Sequence, residues 1–93
     1  MYIARIIWDM DDDPEGNVRH IAENDLTPEE VDSVLTNPKN PTEESRSSGE
    51  PITFGWTSTG RHIAVVWEHV HDDPLTVRPI TAYETPPPRR KRS

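Results

Sequence analysis

The chain has no cysteine, so disulfides and thiolate metal sites are excluded. Long apolar runs are also missing, and no stretch approaches the roughly 20 residues of a membrane span. The first residues, Met-Tyr-Ile-Ala-Arg, lack the layout of a secretory signal. A cytoplasmic protein without membrane attachment is the expectation. Positive charge is scarce. Lys and Arg number 10 against 17 Asp and Glu, for a net charge of −7. Arg89-Arg90-Lys91-Arg92 supplies four of the positive charges, so the rest of the chain stands at −11. Such a body repels phosphate backbones and disfavours broad, non-specific nucleic-acid binding. A small basic patch or a basic partner stays compatible with it. No glycine-rich phosphate loop and no nucleophile elbow occurs.

What is present fits one domain of 93 residues. Leu, Ile, Val and Phe total only 18, but three Trp and two Tyr add large apolar surfaces. Tyr2 to Trp8 reads as a strand, and Asp9 to Glu15 as an acidic loop. Gly16 to Asn24 reads as a helix with Val18, Ile21 and Ala22 on one face. Thr27-Pro28-Glu29-Glu30 has the form of a capping box, with Thr at the N-cap, Pro first and Glu third. Val31, Val34 and Leu35 continue that helix until Pro38. Asn37 to Pro51 is nearly free of apolar residues, and Pro41 to Gly49 within it is expected to be mobile.

Ile52, Phe54 and Trp56 alternate with Thr53, Gly55 and Thr57, which predicts a strand with the larger residues on its buried face. Ser58-Thr59-Gly60-Arg61 reads as a hairpin turn with Gly60 at positive φ. His62 to Val70 is apolar on both faces and is expected at the centre of the sheet, with Ile63, Val65 and Trp67 buried. Leu75 to Tyr83 closes the series, and Pro79 requires an edge or a bulge there. The expected fold class is α+β. It comprises a small antiparallel sheet, made of the N-terminal strand plus a three-stranded meander, with two short helices on one face. The domain spans 1–85, and 86–93 is expected to be a disordered, proline-led basic tail.

Trp8-Asp9, Asn17, Leu26-Thr27-Pro28-Glu29-Glu30-Val31, Gly55, Thr57, Gly60-Arg61, Val65-Val66 and Arg78-Pro79-Ile80-Thr81-Ala82 follow one another in an order that resembles the BrnT-type toxins of the RelE superfamily. The likeness runs from Ile6 to about Glu84. It implies a RelE/BrnT-like fold and the toxin component of a bacterial type II toxin–antitoxin system, acting as a metal-independent ribonuclease. It also implies a cognate antitoxin as partner and RNA as substrate. Such chemistry needs a base for the 2′-hydroxyl, an acid for the leaving oxygen and cations for the phosphorane.

Within that resemblance the catalytic candidates are Arg78, Arg61, His62 and Tyr83, with Arg46 for binding RNA. Arg78 and Arg61 would clamp phosphate, and His62 or Tyr83 would handle protons. The family's Lys-His-Gly before the second helix reads Glu23-Asn24-Asp25 here. Its closing Ser-Ala-Arg reads Thr81-Ala82-Tyr83. Prolines and a short tail replace its basic C-terminal helix. The alternative is therefore a catalytically inactive BrnT-like interaction module that binds a protein partner. Each candidate also has a plainer reading: a solvated Arg61, a structural Arg78, an inert His62 and a Tyr83 buried at a strand end.

No cofactor is expected. His69 and His71 with Asp72 and Asp73 lack a defined third ligand, and the carboxylates of Asp9 to Glu15 lack the spacing of a calcium loop. Addition of a chelator should therefore leave the melting temperature unchanged; a reproducible drop would revive a site at His69 and His71.

Overall fold

The capping box forms as its residues dictate. In the computed structural model, which describes residues 2–87, Thr27 Oγ1 accepts from the Glu30 amide at 3.3 Å. The Glu30 carboxylate accepts from the Thr27 amide at 3.1 Å. Helix α2 (Pro28–Leu35) follows and buries Val31, Val34 and Leu35. Past its end, the Asn40 side chain donates to the Val34 carbonyl at 2.8 Å and satisfies one open helical acceptor. Helix α1 is shorter than expected, at Asn17–Ala22. It buries Ile21 together with the polar Asn17, while Val18 is half-buried and Ala22 exposed. Asp25 ends the following turn at φ 63° and delivers Leu26 to the core.

The remaining elements are β1 (Arg5–Ile6), β2 (Thr42–Glu44), β3 (Pro51–Trp56), β4 (His62–Asp72) and β5 (Leu75–Glu84). They form one sheet in the order β1-β5-β4-β3-β2, so the strand that is apolar on both faces is central, as expected. The β3–β4 turn places Gly60 at φ 88°. Ile63, Val65 and Trp67 face the helices and are buried. The Trp67 indole donates to Thr53 Oγ1 at 2.9 Å, which in turn meets Thr42 Oγ1 at 2.7 Å. The one polar atom of the largest core side chain is thereby satisfied. Among the described residues no helix is long and apolar enough to cross a membrane.

Four expectations are corrected. First, the sheet is mixed. β1 covers two residues rather than Tyr2 to Trp8, and it pairs parallel with β5, Arg5 against Thr76 and Ile6 against Val77. Two helices and three strands separate β1 from β5, and a connection that long permits parallel pairing. Second, the polar segment after α2 is not structureless. β2 forms within it and pairs antiparallel with β3, because backbone bonds and the Thr42–Thr53 contact substitute for apolar anchors.

Third, β3 presents the opposite face to the core. Thr53, Gly55 and Thr57 point to the helices and are buried, whereas Ile52 and Phe54 are half-buried and Trp56 is exposed. Close approach is the reason. A Cβ on Gly55 would lie 2.3 Å from the Asn40 amide nitrogen, so only the small-residue face fits beneath the end of α2. Fourth, β4 runs on to Asp72 before turning at Asp73-Pro74, past the expected Val70. Of the expected tail, Pro86 and Pro87 are described, and 88–93 lie outside the described residues.

Trp67→Ala should cost about 3–5 kcal/mol in urea unfolding, from lost area plus cavity. Trp67→Phe should cost less, since it keeps most of the apolar area and loses the indole hydrogen bond to Thr53. A loss near zero for Trp67→Phe would show that the indole hydrogen bond contributes nothing.

Candidate functional site

Two of the sequence candidates, Arg78 and Arg61, sit within polar networks. The first begins at buried Asn17, the first residue of α1. Its side-chain amide donates to the Ile7 carbonyl at 3.0 Å and to the Pro79 carbonyl at 2.9 Å. Its Oδ1 accepts from the Asp9 amide at 2.9 Å, and its own amide donates to Asp9 Oδ2 at 2.8 Å. Asp9 Oδ2 also accepts from Arg78 at 2.5 Å, and Arg78 reaches Glu68 Oε2 at 3.2 Å. Arg78 and Glu68 are register partners on β5 and β4.

Pro79 is tolerated here for the same reason. It faces the side from which β1 has departed, so no N–H is missed there. The register with β4 also shifts between Val66 and Trp67, and this is the irregularity that the proline required.

The second network centres on Glu30. Its Oε2 accepts from Thr59 Oγ1 at 2.5 Å and lies 3.5 Å from Arg61. Arg61 further donates to the Asp25 carbonyl at 2.6 Å and to Glu84 at 3.2 Å. One guanidinium thus joins the β3–β4 turn, the α1–α2 connection and the end of β5. Trp8 is tied in similarly, its indole donating to Asp32 Oδ1 at 3.1 Å.

Arg61 and Arg78 do not converge. Arg61 reaches toward the helices, while Arg78 lies on the opposite, uncovered face of the sheet. Arg78 and Glu84 are six residues apart on β5, roughly 20 Å at strand rise. His62 and Tyr83 do share the uncovered face, His62 opposite Trp56 and Tyr83 opposite Ala64. Tyr83 is exposed rather than buried at the strand end, because its side chain projects away from the helices. Arg46 is exposed in the turn between β2 and β3, at the far edge of the sheet from β1. His69 contacts Asp72 at 2.8 Å, and no cluster that could hold a metal occurs among the described residues. Comparison with family models, curated proteins and solved structures gives no match.

Sequence reasoning missed the open face itself. Ile52, Phe54 and Trp56 line up beside Val66, Ala64 and His62 in register, with Tyr83 beyond Ala64. Ala64 is fully buried here, because these larger neighbours cover it. At one end a cleft of about 420 Å³ opens between Asn40, Pro41, Glu43, Phe54, Trp56, His62 and Pro86. The His62 ring meets Trp56 edge-on at 5.1 Å, and its buried Nδ1 has no hydrogen-bond partner. The available signal was the run of small residues Thr53, Gly55 and Thr57, which mark the close-packed side of β3.

The networks also set the charges. The Asn17 amide, helped by Arg78, holds the Asp9 carboxyl below its usual range. The Thr59 hydroxyl, then the Thr27 amide and Arg61, do the same for Glu30 against its burial. Burial pushes Asp32 up, although the Trp8 indole opposes it. Asp9 and Glu30 therefore contribute stability that is present above the usual carboxylate range near pH ~4 and is lost as pH falls through their lowered values. Asp32 acts oppositely and is relieved by protonation. Wild type should lose urea resistance below pH ~4, and Asp9→Asn with Glu30→Gln should flatten that loss. Asn17→Ala should cost about 3 kcal/mol at pH 7, since it strands two carbonyls; a loss near zero would show that water replaces the side chain freely.

Proposed function

We propose that this chain is a BrnT-like interaction module of the cytoplasm that binds a protein partner across the uncovered face of its sheet. The partner is basic, carries apolar anchors, and is of the antitoxin kind that the resemblance implies. One observation carries this reading. The helices cover a single face, and the other presents Ile52, Phe54, Trp56, Val66 and Tyr83 side by side. Contiguous apolar surface of this kind on a small acidic domain favours protein contact over solvent. The charge of −7 favours a basic partner and disfavours RNA.

The residues behind the resemblance support the same view. Asp9, Asn17, Glu30, Arg61 and Arg78 each have an architectural duty, and both arginines already hold two carboxylates. The ribonuclease reading has one observation in its favour, namely that His62, Tyr83 and Arg78 share the open face.

The test is co-expression with the product of the neighbouring open reading frame, followed by size exclusion and titration. A complex should form, and Phe54→Lys should weaken it at least about a hundredfold, as expected for a central anchor. The same preparation is assayed for RNA cleavage. Cleavage by wild type that falls about a hundredfold or more in Arg78→Ala, without any complex, would overturn the module reading and support the nuclease.

A further inference from the structure

The cleft beside Trp56 has a chemistry of its own. Trp56 is 55% exposed, an unusual expense for so large an aromatic side chain, and His62 meets it edge-on rather than covering it broadly. Phe54, Pro41 and Pro86 provide apolar walls. Glu43 stands among the lining residues, and among the described residues it has no ion pair. Among the described residues no Lys or Arg lines the cleft. The combination of an open indole, apolar walls and an unneutralised carboxylate is complementary to a cation on an apolar stem.

We infer that this cleft is the subsite for an arginine side chain of the basic protein partner. The guanidinium stacks on Trp56 and pairs with Glu43, and its methylenes run along Phe54 and the two prolines. This rests on the module reading and deepens it by naming the group recognised. Arginine suits the site better than lysine, because its planar, weakly hydrated head gives up less solvation on stacking and can fork onto a carboxylate. An anion would meet the Glu43 carboxylate with no cation beside it among the described residues, and a neutral side chain would gain nothing from that charge. The excess of acidic residues over the whole chain adds attraction at longer range.

The experiment titrates the full-length protein with the peptide acetyl-Leu-Arg-Leu-Arg-Leu-amide. A matched peptide carries citrulline, neutral and nearly isosteric, in place of arginine. Calorimetry gives affinity, and the Trp56 indole N–H resonance reports the place. The arginine peptide should shift that resonance and bind at least about tenfold more tightly than the citrulline peptide. Glu43→Gln and Trp56→Ala should each remove about that factor, Trp56→Leu should rescue little, and Glu29→Gln on α2 should change nothing. Equal binding of both peptides, or wild-type affinity in Glu43→Gln, would overturn the proposal. A shift of the Trp56 resonance on changing Arg89, Arg90, Lys91 and Arg92 to Ser, with peptide affinity rising, would assign the cleft to the chain's own tail instead. If the protein partner binds but ignores Glu43→Gln and Trp56→Ala, this subsite fails while the module reading stands. If no partner binds and Phe54→Lys is silent, the module reading fails.

Discussion

The buried side chain of Asn17 ties the edge strand β1 to β5 past the point where their backbone ladder ends. After Ile6 the first strand leaves β5, and the ladder would end with open carbonyls at Ile7 and Pro79. The Asn17 amide donates to both, so one side chain replaces the missing rung. Its carbonyl oxygen and backbone N–H fix Asp9 in place. Asp9 then positions Arg78, and Arg78 ties β5 to Glu68 on the central strand. Each bond is worth about 1 kcal/mol net, but the buried groups they satisfy would cost more if left unpaired. The parallel docking of β1, the tolerance of Pro79 and the start of α1 all depend on this one amide.

Local chemistry was legible in the sequence where neighbours in the chain decide the outcome. The capping box at Thr27, the stop after Leu35, the positive φ of Gly60 and the burial of Ile63, Val65 and Trp67 are of that kind. What was not legible depended on distant residues. The alternation in β3 is symmetrical to a periodicity argument, and only the close approach of Asn40 to Gly55 selects the small-residue face. β2 carries almost no apolar signal, since it is held by its neighbour's backbone and by a threonine pair. The parallel pairing of β1 requires knowing where the helices deliver the chain. Arg78 and Arg61 were visible as charges worth noticing, but their carboxylate partners lie 10 to 69 residues away and on other elements.

That distinction shapes the functional reading. The residues that carry the resemblance turn out to be joints of the architecture: Asp9 and Asn17 at one corner, Glu30 and Arg61 at another, with Trp8 bonded to α2. A motif made of such joints speaks to folding before it speaks to chemistry. The groups with no architectural duty lie elsewhere, on the uncovered face and in the cleft at its end. They are aromatic and acidic, and the proposed basic partner rests on that composition. The imbalance of charge in the chain agrees with that assignment.

The central claim is that Arg78 serves the fold through Asp9. A double-mutant cycle measures this most directly, with urea unfolding of wild type, Asp9→Asn, Arg78→Met and the double variant at pH 7 and fixed salt. The two side chains are only partly exposed, at 21% and 32% respectively. A coupling of about 1–2 kcal/mol is therefore expected, above that of a fully solvated pair. Zero coupling, with Arg78→Met as stable as wild type, would contradict the account and leave the guanidinium free for a substrate.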